Sequence, residues 1–169
     1  DKLNKILKNG RPAIFVSGHF ANFELMSMEI TRCGIKLATI YRPLNNLFLN
    51  PFMERLRKKH VCSNQIKKGL NGVRESIEYI KKGFSIALMI DQRVSEGDKI
   101  PFFNKLALTT TLPAQLAKKY NLPIIPVFIE RKDLDKFNVY FYEEINPSNF
   151  KDKNELTVKL NNVLEQMLI

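Results

Sequence analysis

The chain has two histidines in 169 residues, and one of them, His19, lies in the stretch FVSGHFANFE (15–24), between an apolar run and Glu24. An imidazole titrates near ambient pH, and one steadied by a carboxylate can take the proton of a hydroxyl as that hydroxyl attacks a carbonyl. Such general base catalysis is worth about 10²–10⁴ in rate. On one continuous helix the five-residue spacing would rotate Glu24 by about 140° from His19, so that the two share no face. A His19 in the turn before a helix capped by Asn22 removes that obstacle: the chain bends back, and Glu24 in the first turn reaches the ring. Glu24 would then fix the tautomer and favour the imidazolium. Backbone N–H groups at the helix start would stabilise a developing oxyanion. The same spacing equally describes a surface histidine in a βα loop followed by an ordinary first-turn glutamate.

Three further groups carry chemistry. Tyr41 and Arg42 close the apolar stretch of ATIYRPLNN, where the guanidinium can grip a phosphate or carboxylate bidentately or stand as a solvated loop arginine. Asp91 and Gln92 follow the apolar run before MIDQR, placed to hydrogen-bond an acceptor sugar, to hold Arg42, or to cap a loop. Phe102 and Phe103 in PFFNKLALTTT suit the lip of an apolar groove, or else close the core over a sheet edge. No GxSxG elbow surrounds Ser17, and the chain contains no P-loop, GxGxxG or HExxH. His19, His60, Cys33 and Cys62 lack metal-ligand spacing, so no bound metal is expected.

These groups must be positioned by elements the pattern predicts. Residues 13–18 read as a buried strand, 22–34 as a helix stopped by Gly34, 35–42 as a strand, and 45–60 as a helix that Pro51 interrupts or restarts. Residues 70–83 form an amphipathic helix ending at Gly83, and the strand 84–90 leads into Asp91. Residues 92–107 read as a long loop, 109–121 as a helix with Pro113 in its first turn, 122–131 and 136–145 as strands, and 153–168 as a closing helix. Strands alternating with helices predict one α/β layered domain over 1–169, with a mostly parallel central sheet flanked by helices. In such sheets chemistry gathers at the carboxyl edge, and His19, Tyr41–Arg42 and Asp91–Gln92 all stand at predicted strand ends.

Composition bounds the partners. With 44% hydrophobic and 26% charged residues the chain is ordinary globular stock, neither disordered nor fibrous. The net charge of +10 is uneven: residues 1–129 carry 21 Lys/Arg against 9 Asp/Glu, and 130–169 carry 6 against 8. A basic body attracts nucleic acid, anionic lipid or an acidic protein, or serves solubility alone. The basic side chains of and before the 70–82 helix, Lys67, Lys68, Arg74, Lys81 and Lys82, fit phosphates or a solvated face. No nucleic-acid motif or interleaved basic and aromatic platform is present, so nucleic acid is not the expected partner. Two cysteines without a CxxC suggest a reducing compartment. No run approaches the ~18 apolar residues of a membrane span, and no signal peptide opens the chain.

Taken together, GHFANFE, YRPLNN, DQ followed by IPFF, and TTTLPAQLAKKYNLPIIPVF resemble, in order over roughly residues 11–130, the lysophospholipid acyltransferase superfamily. Within it the blocks are most similar to the lipid A biosynthesis (lauroyl/myristoyl) acyltransferases, with His19 and Glu24 as that superfamily's His-x4-Asp/Glu pair. The resemblance implies a glycerol-phosphate acyltransferase-like fold and transfer of an acyl chain from an acyl carrier protein or coenzyme A thioester to a hydroxyl of an anionic glycolipid. It implies no cofactor, since the thioester is a co-substrate, and a place at the cytoplasmic face of the inner membrane. It makes His19 the general base with Glu24, with no covalent acyl-enzyme. Asn22, Phe23, Tyr41, Arg42, Asp91 and Gln92 would line the acceptor pocket, with Phe102 and Phe103 at a groove. A glycerol-phosphate or lysophospholipid acyltransferase is the related alternative. Ala21 and Phe23 stand where the family often has Gly and Trp, and Asn104 where Gly usually follows the paired Phe. Family members usually carry an N-terminal anchor and a Trp- and Arg-rich C-terminal segment, so this Trp-free chain reads as a fragment holding the catalytic core.

Overall fold

The computed structural model describes residues 10–169. Its elements run β1 (Ile14–Ser17), α1 (Glu24–Arg32), β2 (Leu37–Tyr41), α2 (Leu49–His60), β3 (Asn64–Lys67), α3 (Leu70–Lys81) and β4 (Ser85–Met89). They continue with β5 (Asp98–Phe102), β6 (Lys105–Thr109), α4 (Leu112–Tyr120), β7 (Ile124–Arg131), β8 (Phe137–Phe141), a short 3₁₀ turn (Pro147–Asn149) and α5 (Lys153–Leu168). The class is α/β, with mostly parallel strand pairing and flanking helices, as the alternation of patterns predicts. The chain forms two compact units, residues 10–13 with Glu24–Leu88, and Ile14–Phe23 with Met89–Ile169.

In the first unit β2 lies between β3 and β4 and pairs parallel to both, with Leu37 opposite Ser85 and Ala38 opposite Asn64. Parallel neighbours need crossovers, and α2 and α3 supply them. Its core is made by Met26 and Ile30 of α1 with Leu37, Ala38, Ile66, Ile86 and Ala87. Pro51 falls in the first turn of α2, where the missing N–H has no intrahelical partner to lose, so the proline restarts the helix at Leu49. Asn46 completes that start by accepting the N–H groups of Phe48 and Leu49 on its Oδ1, at 2.9 and 3.1 Å.

In the second unit β7 pairs parallel with β1, Ile14 opposite Ile124, and antiparallel with β8, Val127 opposite Phe141. Helix α5 buries Leu156, Leu160 and Leu164, a four-residue repeat that keeps one stripe inward. Asp152 caps it by accepting from the N–H groups of Asn154 and Glu155.

Four expectations need correction. The predicted loop 92–107 contains most of an antiparallel hairpin, β5 with β6, Asp98 opposite Thr109 and Phe102 opposite Lys105. Pro101 inside the run and a Phe-Asn turn in place of Asn-Gly hid the strand signal. Phe103 and Asn104 have φ of +46° and +60°, the pair of positive values a type I′ turn needs. Strand β3 escaped because NQIK is four residues long and buries only Ile66. The 136–145 strand stops at Phe141, and Ile145 makes only an isolated bridge to Ile124. Finally, α1 begins at Glu24, which leaves Asn22 outside the N-cap position.

Candidate active site

The second unit brings three of the expected residues together. His19 lies two residues beyond β1, and the segment after β4 runs beside it because Ile90 N–H donates to the Ser17 carbonyl at 2.9 Å. Asp91 then holds His19 twice: its Oδ2 accepts the His19 backbone N–H at 2.8 Å and its Oδ1 meets ring Nδ1 at 2.7 Å. An ionised carboxylate only accepts, so in a neutral imidazole paired with one the proton is on Nδ1 and Nε2 presents its lone pair. The Gln92 amide stands 3.4 Å from Nε2, a long contact that an incoming hydroxyl can displace. Phe23 meets the imidazole edge-on, with ring centroids 4.8 Å apart, and limits its tilt.

The backbone here is shaped for that grip. A Cβ on Gly18 would come within 2.8 Å of the Phe20 ring and 3.3 Å of Asp91 Oδ2, so only glycine lets the strand end pass this close. Ala21 sits at φ +41°, in the left-handed region where glycine is unstrained. A glycine at position 21 or 104 would be free of this strain. Asn22 is exposed on the same loop.

Glu24 takes a different partner within the first unit. Its Oε1 accepts from Arg57 Nε of α2 at 2.7 Å, both side chains being largely buried. The sequence reading placed Glu24 on the imidazole and Asp91 in the acceptor pocket; the carboxylate on Nδ1 is Asp91. The reason is the path of the backbone: Asp91 leaves a strand end hydrogen-bonded to the His19 strand, whereas Glu24 opens α1 and joins a network with α2. Arg57 also lies 5.8 Å over the Tyr41 ring. Tyr41, expected in the acceptor pocket, donates its hydroxyl to Glu54 Oε1 at 2.5 Å, and Glu54 further accepts from Asn50 at 2.8 Å and pairs with Lys67 at 3.3 Å. Arg42 follows β2, exposed and without a hydrogen-bond or ion-pair partner among the described residues. Arg57, Glu54 and Asn50 carried no signal in the sequence beyond a basic amphipathic helix.

Glu54 gives this network a pH signature. The hydrogen bond from Tyr41, and then that from Asn50, lower its pKa from 4.5 to about 2. Burial, followed by the bond to Glu54, pushes the Tyr41 phenol well above its usual value. A depressed carboxylate contributes stability above its unfolded pKa and loses it as pH falls through the folded one. Thermal unfolding of the wild type should thus lose about 1–2 kcal/mol between pH 4.5 and 2 through this residue, as for a hydrogen-bonded surface charge. Glu54→Gln should show the smaller stability already at pH 7 and a flatter profile below pH 4.5. Parallel profiles for the two proteins would refute the assignment.

The second unit holds a cavity of about 400 Å³, lined by Asp91, Gln92 and Arg93 and by Phe102, Leu106, Leu108 and Leu164. The volume lies in the range of about 300–1,000 Å³ usual for small-molecule sites. Asn161 braces its wall, donating to the Pro101 carbonyl at 2.8 Å, while Lys153 pairs with Asp98 at 2.8 Å. Phe102 lines the cavity; Phe103 is 44% exposed at the turn, its N–H held by Glu165 at 2.7 Å. The cavity was illegible in the sequence because half its wall comes from the unrecognised hairpin.

Residues 1–169 match the bacterial lipid A biosynthesis acyltransferase family. The chain belongs to that family. The chain also shares its fold with the 1-acyl-sn-glycerophosphate (LPA) acyltransferase PlsC from Thermotoga maritima, at a TM-score of 0.53 and 17% identity over 92% of the present chain. The present chain spans 64% of the length of that one. No curated protein matches its sequence.

Proposed function

We propose that this acyltransferase moves a fatty acyl chain from an acyl carrier protein or coenzyme A thioester to a hydroxyl of an anionic lipid A precursor, at the cytoplasmic face of the inner membrane. His19 is the general base. Its Nε2 takes the acceptor hydroxyl proton as the oxygen attacks the thioester carbonyl; the tetrahedral intermediate then expels the thiolate, which leaves with the proton from the imidazolium. Asp91 holds Nδ1–H throughout and stabilises the cation. The observation that carries this reading is the two-point grip of Asp91 on His19, next to an apolar cavity that Asp91 and Gln92 also line. That cavity accommodates an acyl tail, with Phe102 in its wall. Arg42, exposed and unengaged, is suited to the acceptor's phosphate.

The test is an assay of the purified protein with labelled acyl carrier protein and coenzyme A thioesters, offered a phosphorylated acyl-glucosamine disaccharide and a lysophosphatidic acid in separate reactions. Label should pass to the disaccharide. Transfer confined to lysophosphatidic acid would replace the acceptor by the one the name of the structural neighbour indicates, and transfer to neither would overturn the enzymatic reading.

A further inference from the structure

Helix α2 has no buried residue, although its sequence is amphipathic. Its apolar positions Leu49, Phe52 and Leu56 recur at three- and four-residue spacing and form one stripe, all exposed. The two residues that lead into it are the extreme case, Leu47 at 83% and Phe48 at 93% exposed. A contiguous patch of this kind on a soluble surface marks a binding face. Its surroundings are strongly basic: residues 42–68 contain seven Lys/Arg and a single carboxylate, Glu54, which already serves Tyr41 and Lys67. Arg55, Lys58 and Lys59 are exposed, and on the helical wheel Arg55 and Lys59 border the edge of the stripe at Phe52.

We propose that residues 47–59 are the face by which the protein docks on a bilayer rich in anionic lipid, Leu47 and Phe48 entering the hydrocarbon while Arg55 and Lys59 meet the headgroups. An apolar stripe with a cationic border is the pattern of helices that lie in the membrane interface. Among the described residues no helix is long and apolar enough to cross a membrane, and this face needs none. A second copy is the poorer occupant, because a two-fold contact would bring the cationic borders against each other. An acidic protein would satisfy the charges but offers no ready place for two side chains that project almost fully into solvent, whereas acyl chains accept them without a preformed pocket. The inference deepens the membrane-face reading of the enzyme and rests on it for choosing a bilayer over a protein.

Flotation with vesicles of phosphatidylcholine and phosphatidylglycerol in equal parts tests it without any acyl transfer. The wild type should float, and should float less with pure phosphatidylcholine. Leu47→Gln combined with Phe48→Gln should weaken the partition by more than about tenfold, as expected for losing two buried apolar side chains, and Arg55→Glu with Lys59→Glu should weaken it on anionic vesicles only. His19→Ala should float as the wild type does, so a failed catalytic reading leaves this result untouched. Because the chain has no tryptophan, Phe48→Trp supplies a second, conservative probe whose emission should shift to the blue on adding anionic vesicles. No flotation of the wild type, undiminished flotation of the glutamine variant, or an unshifted indole would each overturn the proposal, as would a glutamine variant whose only change is lost self-association.

Discussion

His19→Ala should lower kcat by about 10²–10⁴-fold while leaving thermal unfolding within experimental scatter of the wild type. The size follows from what the side chain does. Without an imidazole at the end of β1 the acceptor hydroxyl must lose its proton to water, whose basicity is far too low to assist attack on a thioester. The fold should survive because His19 is exposed and, among the described residues, the hydrogen-bond and ring partners of its side chain are Asp91, Gln92 and Phe23. KM for both substrates should change little, since the base acts on the proton in flight rather than on ground-state binding. A kcat near the wild-type value in the purified variant would remove His19 from the mechanism.

Asp91→Asn should cost a comparable factor, about 10²–10⁴ in kcat, and it separates the two carboxylates that sequence and structure put forward. Asp91 accepts two hydrogen bonds from one residue, one on each oxygen. An asparagine keeps one acceptor and turns the other atom into a donor. If the amide oxygen stays on the backbone N–H, the amide nitrogen faces Nδ1 and forces that nitrogen to accept, which moves the ring proton to Nε2 and removes the lone pair catalysis needs. Glu24→Gln, by contrast, retains an oxygen for Arg57 Nε and should reduce kcat by less than Asp91→Asn does. The pH–rate profile supplies the second readout: the acid limb that reports the base should change in Asp91→Asn and persist in Glu24→Gln. If Glu24→Gln instead fell as far as His19→Ala while Asp91→Asn stayed active, the pairing read from the HFANFE spacing would be the operative one and the Nδ1 contact incidental.

The two results bear on what each unit contributes. In the second unit, the end of β1 carries His19, the segment after β4 carries the Asp91 that holds it, and the hairpin with α5 lines a mostly apolar cavity. In the first unit, Glu24, Arg57, Tyr41, Glu54 and Asn50 form a chain of contacts, so Tyr41 is already engaged, while Arg42 is exposed. The residues expected in the acceptor pocket thus differ in their surroundings: Tyr41 is held by Glu54, Asp91 and Gln92 meet His19, and Arg42 is exposed.

The amino-acid sequence by itself determined the α/β class, because the alternation of short apolar runs with amphipathic segments is a local periodicity that survives without any knowledge of contacts. It also determined where the polar residues sit along the chain: His19, Arg42 and Asp91 follow strand-forming runs, and a run's end is visible in its composition. Helix α5 was legible to the residue, and Pro51 and Gly34 marked boundaries by their backbone chemistry alone. Only the tertiary structure decided which carboxylate holds the imidazole. That choice depends on the hydrogen bond between Ile90 and Ser17, a pairing 73 residues apart in the chain, and no spacing rule carries it. It likewise decided that residues 98–109 form a hairpin, since Pro101 and a Phe-Asn turn contradict the local strand signals and the pairing is stabilised by Asn161, Lys153 and Glu165 of a distant helix. The exposure of Leu47 and Phe48 belongs to the same class: periodicity shows that α2 has an apolar face, and only the packing around it shows that the protein leaves that face uncovered.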